Sequence, residues 1–203
     1  MNDSKKERDM LHKTRMKNVK LMEMLFAIID LKDPLTANHC ESVARYALTI
    51  GKELKLPGDQ LDKLNQAARL HDIGKIMVDN SVLNKKKPLT ERDFLQIRSH
   101  AEKGMRILTI LQTNDYIIDA AWHHHERWDG EGYPDGIQEE SISYITRIVC
   151  IADALDAMTE DRPYRRHLSD EEIITQIEMG RGTQFDPELA DTVIKLIKEK
   201  RLN

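Results

Sequence analysis

Seven side chains in this sequence are polar at positions where the surrounding pattern is apolar: His39, His71, Asp72, His100, His124, His125 and Asp153. His39 shares a helical stripe with Val43, four residues on. His71 follows an apolar run ending at Leu70, and Asp153 interrupts Ile148, Val149, Ile151, Ala152 and Leu155. A buried carboxylate or imidazole without a partner costs several kcal/mol, so these groups need one. Neighbouring helices would bring them together, and a divalent metal suits five imidazoles and two carboxylates. Seven donors exceed the four of one closed tetrahedral site. With Asp72 shared, they divide into two octahedral-type ions with positions left for water or substrate. Imidazole and carboxylate without thiolate suit iron or manganese, with zinc, cobalt or nickel as alternatives. Two such ions about 3.5–4 Å apart clamp a phosphoryl group and generate a bridging hydroxide as nucleophile. Singly, each piece is weak: a lone histidine on an apolar face is usually a satisfied core residue, and Trp122-His123-His124-His125 could be an incidental surface tract. Their order and spacing together carry the signal.

The elements that must position these residues are helical. The chain has 203 residues, 40% hydrophobic, 33% charged and 5% aromatic. Nine glycines and six prolines make about 7%, against a typical ~12%. So few turn-formers, with little aromatic content, indicate an all-α chain rather than a sandwich or barrel. At roughly 150 residues per domain the length allows one domain and an appendage. A net charge of −4 excludes a strongly basic binder of polymeric nucleic acid. The longest apolar run, Met24 to Ile29, falls far short of the ~20 residues of a membrane span. The first eight residues lack the apolar core of a signal peptide. Cys40 and Cys150 fall in apolar-periodic segments and are read as buried thiols, which with the missing leader indicates a reducing, cytoplasmic setting.

Apolar spacing predicts helices over 5–30, 34–54, 61–70, 99–111, 114–125, 142–159 and 170–179, with a last one from Asp186 to about Lys200. Pro34, Thr90 and Ser169 mark helix starts, and Gly74 is read as a helix terminator. Residues 126–141 read as a loop, with three of the nine glycines between Glu126 and Gly136.

His39, then His71-Asp72-Ile73-Gly74-Lys75, then His100, then His124-His125-Glu126-Arg127-Trp128-Asp129-Gly130-Glu131-Gly132-Tyr133-Pro134, then Asp153 and Arg162-Pro163-Tyr164-Arg165 follow one another in an order that resembles the HD-GYP phosphodiesterases, a branch of the HD-domain metal-dependent phosphohydrolases. The resemblance runs from about Asp33 to Leu189. It implies an HD-domain helical bundle with a long GYP loop, two or three metal ions, and hydrolysis of cyclic di-GMP. His39, His71, Asp72 and Asp153 are then expected to hold one metal, and His100, His124 and His125 the other, with Asp72 bridging. Lys75 is expected beside the scissile phosphate and its leaving oxygen, Tyr133 beside the guanine or ribose, and Arg162 and Arg165 on the phosphates. The implied reaction is attack by a metal-bridging hydroxide to give pGpG, with a second cut to GMP.

Departures from the family pattern sharpen these expectations. Leu35 stands where some members carry a glutamate for a third metal, so a binuclear centre is expected. His123 is surplus to the matched pair and is read as a surface or supporting residue. Glu126 either orients a histidine or caps the loop, while Asp129 and Asp156 are read as structural. The alternatives to cyclic di-GMP hydrolysis are another cyclic dinucleotide, such as cyclic GMP-AMP, and a silent receptor or interaction module. Residues 1–32 are expected to form an N-terminal helix, a linker from an upstream sensory domain or a dimerisation element, ahead of a catalytic domain over 33–203. Met22, Met24, Leu25, Phe26 and Ile29 would pack on that domain or form a dimer seam.

Overall fold

Asp33 and Pro34 divide the first two helices. The Asp33 side chain accepts a hydrogen bond from the Leu35 amide at 3.2 Å and another from the Thr36 hydroxyl at 2.8 Å. Pro34 occupies the first helical turn, where its missing N–H costs nothing. A computed structural model describes residues 19–83, 85, 87–160 and 166–202. The part of the expected helix over 5–30 that precedes residue 19 lies outside them, as do Arg162 and Arg165.

The described residues form helices joined by turns and by one long loop between His123 and Tyr144. Helix α1 covers residues 19–32. It is followed by α2 (Pro34–Glu53), α3 (Gly58–Leu70), a 3-10 turn (Ile73–Met77), α4 (Asn80–Leu83), α5 (Glu91–Arg98), α6 (His100–Ile110) and α7 (Asp115–His123). After the loop come α8 (Tyr144–Thr159), α9 (Asp170–Gly180) and α10 (Pro187–Lys198). No strand occurs among the described residues, only an isolated bridge between Arg181 and Phe185. The all-α expectation therefore holds. Capping boxes at Thr90 and Ser169 start α5 and α9, and Asp186 with Pro187 starts α10.

Two apolar clusters hold the bundle. The larger joins α2, α3, α8, α9 and α10 through Val43, Ile50, Leu64, Ile148, Leu155 and Val193, among others. The smaller seats α1: Met22, Leu25 and Ile29 pack with Leu70, Ile73, Leu108 and Ile117. Phe26 lies under the Arg69 guanidinium at 4.1 Å. Met24, Ile28 and Leu31 on α1 stay exposed.

Gly74 does not end a helix. It sits inside the 3-10 turn, where that turn presses on α6. A Cβ at Gly74 would lie 1.9 Å from the His100 carbonyl oxygen and 2.5 Å from the Gly104 nitrogen. The missing side chain lets two backbones touch, and that contact fixes the separation between the His71-Asp72 corner and His100.

Candidate metal centre

The seven polar residues arrive on five elements and meet. His39 comes from α2, His71 and Asp72 from the corner after α3, and His100 from the first turn of α6. His124 and His125 follow the end of α7, and Asp153 lies midway along α8. Each of three imidazoles spends its Nδ1–H on a carbonyl three or four residues earlier: His71 on Ala68 at 2.7 Å, His100 on Ile97 of α5 at 2.6 Å and His124 on Ala120 at 3.0 Å. That fixes each ring's orientation and turns Nε2 inward, as a lone pair wherever the ring is neutral. His39 donates Nδ1–H to Asp156 Oδ2 at 2.6 Å with the same result.

Asp72 is the meeting point. Its Oδ2 lies 3.4 Å from His71 Nε2 and 3.5 Å from His39 Nε2. Its Oδ1 lies 3.3 Å from His100 Nε2 and 3.8 Å from His124 Nε2. Asp153 Oδ1 is 3.1 Å from His39 Nε2. The donors fall into two groups, His39 with His71 and Asp153, and His100 with His124 and His125, each with its atoms within 4.8 Å of one another. The carboxylate of Asp72 stands between them.

The electrostatics of the two halves differ. Burial lowers the pKa of His100 and, further, of His124, and takes His125 down to about 4, so these rings are neutral and their lone pairs free. Burial also acts on His39, yet hydrogen bonds to Asp153 and Asp156 and nearby carboxylate charge raise it to about 10. His71 is raised likewise by Asp72 against its burial. Despite burial, Lys75 and His71 hold the Asp72 carboxyl well below the usual carboxylate range. The Lys75 ammonium donates to Asp72 Oδ2 at 2.5 Å.

Three features fit this donor set to divalent ions. His100 Nε2 and His124 Nε2 face each other at 3.1 Å, although both rings already donate through Nδ1. Two lone pairs pointed at each other repel unless a cation lies beside them. His71 Nε2 and Asp72 Oδ1 are buried with no hydrogen-bond partner, an arrangement that costs about 1–3 kcal/mol per group unless something else binds them. The lysine ammonium on Asp72 already shows that the corner attracts positive charge.

Supporting residues extend this set. Asp156, read from sequence as structural, holds the His39 ring, and it lies one helical turn beyond Asp153 on the same face of α8. That spacing was the available signal. Cys40 is a buried free thiol whose Sγ belongs to a compact cluster with His71 and Asp72. Glu126 acts as a loop cap, its Oε1 accepting from the Asp135 and Gly136 amides at 2.7 and 3.0 Å. Asp129 pairs with Arg127, and His123 bridges Asp119 and Asp135 at 2.8 and 3.1 Å.

The loop after His125 folds back over the cluster. Gly132 allows this, since a Cβ there would lie 2.5 Å from the Glu126 Cα and Arg127 nitrogen. Tyr133 then stacks on His125 with ring centroids 4.7 Å apart. Cavities of about 500 and 360 Å3 open on the two sides. The first is lined by Arg98, Tyr133 and Gln184, the second by Thr36, His39 and Lys75, and both touch His125 and Asp153.

Replacing Asp156 with Ala is expected to weaken metal binding about 10–100-fold, the usual effect of losing a carboxylate that orients a ligand histidine. Asp156→Asn, which keeps an acceptor for His39 Nδ1–H, should lose less. Chelator-competition titration measures both.

Residues 23–189 match the family model described as HD domain. A protein named cyclic di-GMP phosphodiesterase from Pseudomonas aeruginosa is 35% identical over 85% of this chain and 42% of its own length. A 3'3'-cGAMP-specific phosphodiesterase of Vibrio cholerae is 38% identical over 79% of this chain and 35% of its own. The chain thus spans less than half the length of the curated relatives it matches. Among solved structures, the HD domain of an L. monocytogenes phosphodiesterase in complex with cyclic-di-AMP superposes with a TM-score of 0.62 at 22% identity, covering 87% of this chain and 96% of that one. At that identity the likeness concerns the fold. Among the described residues, no helix is long and apolar enough to cross a membrane.

Proposed function

The chain belongs to the HD-domain family, and from that premise we propose that it hydrolyses cyclic di-GMP to the linear dinucleotide pGpG, with a second cut to GMP. The observation that carries the reading is the single buried carboxylate of Asp72, faced on one oxygen by His39 and His71 and on the other by His100 and His124. His39, His71, Asp72 and Asp153 would hold one divalent ion, and His100, His124 and His125, with Asp72 shared, a second. Iron or manganese suits these nitrogen and oxygen donors. Bound there, such ions supply Lewis acidity toward phosphoryl oxygen and lower the pKa of water.

The chain's own groups do the rest. Leu35 points no carboxylate into the smaller cavity, in keeping with two ions rather than three. Lys75 lines that cavity and carries a charge that neutralises the leaving oxygen as the P–O bond breaks. Tyr133 offers a ring face to a base or ribose on the other side. Because the two cavities meet at His125 and Asp153, a two-fold cyclic ligand can place one half in each while a phosphate sits at the cluster. Arg162 and Arg165 are assigned to the phosphates on the family resemblance alone, since they lie outside the described residues. The two free cysteines suit work in a reducing cytoplasm, and the exposed stripe on α1 suits a second copy or an upstream domain.

A second reading, cleavage of 3′3′-cyclic GMP-AMP, is favoured by the relative of that name at 38% identity. Initial rates on the two cyclic dinucleotides, with products separated by chromatography, decide between them. Faster conversion of cyclic di-GMP to pGpG is expected. Faster cleavage of cyclic GMP-AMP would replace the first reading with the second, and tight binding of either without product would indicate a receptor.

A further inference from the structure

Resting on the phosphodiesterase reading above, we infer that Arg98 is a substrate-binding residue that takes the phosphate of the cyclic dinucleotide that is not being cut. Arg98 is the last residue of α5, two before His100, and it lines the cavity of about 500 Å3 on the loop side of the cluster. Among the described residues, two guanidinium groups line that cavity, Arg98 and Arg127. Arg127 is already committed, since its Nε and Nη2 donate to the two oxygens of Asp129 at 3.0 and 2.6 Å. Arg98 makes no ion pair among the described residues. Its guanidinium carbon instead lies 4.7 Å from the centroid of the Tyr133 ring.

That placement is informative in three ways. A guanidinium laid on an aromatic ring is held in orientation while its N–H fork stays free, and the fork matches two phosphate oxygens. The ring beneath it is the one that stacks on His125, so a single aromatic side chain separates Arg98 from the cluster. The charge requirement also matches, because a cyclic dinucleotide carries two phosphodiester charges. One is met at the cluster and Lys75, and the other faces a cavity whose one uncommitted cation, among the described residues, is Arg98, which would share that phosphate with the arginine pair assigned above. Glu126 in the same wall makes no ion pair with Arg98 among the described residues, and its Oε1 accepts from the Asp135 and Gly136 amides.

The test compares the metal-loaded wild-type chain with Arg98→Ala and Arg98→Lys on cyclic di-GMP and on bis(4-nitrophenyl) phosphate, a diester with one phosphate. Loss of a charge-assisted hydrogen bond should raise the KM for cyclic di-GMP about 10-fold or more in Arg98→Ala, with a much smaller change in kcat. Arg98→Lys should fall between it and wild type, and the loss on the single-phosphate diester should be several-fold smaller. Equal losses on both substrates, or an unchanged KM for cyclic di-GMP, would overturn the role of Arg98 and leave the phosphodiesterase reading standing. A wild-type chain that cleaves the small diester but no cyclic dinucleotide overturns the reading beneath it, and the Arg98 role with it. Arg98 is exposed, so both variants should melt like wild type.

Discussion

An Asp72→Asn chain is expected to bind neither metal ion and to lose about 10³-fold in turnover, the upper range for deleting one preorganised electrostatic group. The size of the effect follows from where the carboxylate stands. It is 1% exposed, and each oxygen faces a different pair of imidazoles. An amide of the same shape keeps one acceptor and turns N–H donors toward lone pairs that need a cation. It also removes the negative charge that raises the pKa of His71 and contributes to that of His39. Helix content should be unchanged, because the substitution alters no volume and Ile73 and Leu70 still anchor the corner in the apolar cluster. Metal analysis of the purified variant reads the loss independently of activity, and full loading would show that Asp72 is not shared.

Gly74→Ala should be the most damaging change of a single methyl group in the molecule. Overpacking usually costs about 1–3 kcal/mol because side chains can shift. Here the new methyl would sit 1.9 Å from a carbonyl oxygen and 2.5 Å from an amide nitrogen, both backbone atoms of α6. Relief requires moving the whole helix, so about 3 kcal/mol or more is expected, a fall in Tm of roughly 6–12 °C for a chain of this size. The helix that moves carries His100, and a displacement of about 1 Å in a catalytic group can cost about 10²-fold in rate. Gly104→Ala provides the control on the facing side. Its methyl would meet Gly74 nitrogen at 3.3 Å and Ile73 Cγ2 at 3.4 Å, a close contact that a shift of a few tenths of an ångström relieves, costing about 1 kcal/mol. Thermal melts of the two variants should therefore differ clearly, and equal melting points would refute the close-approach argument.

What could be read from the sequence was whatever leaves a local or ordered mark. Asp33-Pro34, Thr90, Ser169 and Asp186-Pro187 announce helix starts because a capping side chain acts within three residues of itself. The histidines and aspartates stood out because each breaks an apolar stripe, and the structure brings all seven described ones to one place. Gly74 was misread because its reason is tertiary: nothing local in Ile73-Gly74-Lys75 reveals that α6 will lie against it. The 3-10 turn and α4 leave no periodic mark, since four or five residues are too few to show a period. Asp156 was undervalued when read alone, although its distance of three residues from Asp153 places both on one face of α8. Arg98 had no signal, because an arginine in the last turn of an exposed helix is ordinary until Tyr133 is seen beneath it.

Whether two metal ions at this cluster perform phosphodiester hydrolysis is decided by the metal content of anaerobically purified protein, measured alongside its products from cyclic di-GMP before and after chelation. Two ions per chain, iron or manganese, are expected with pGpG as product, both lost together on chelation and both recovered when metal is returned. Undiminished hydrolysis by chelated, metal-free protein would contradict a role for those ions.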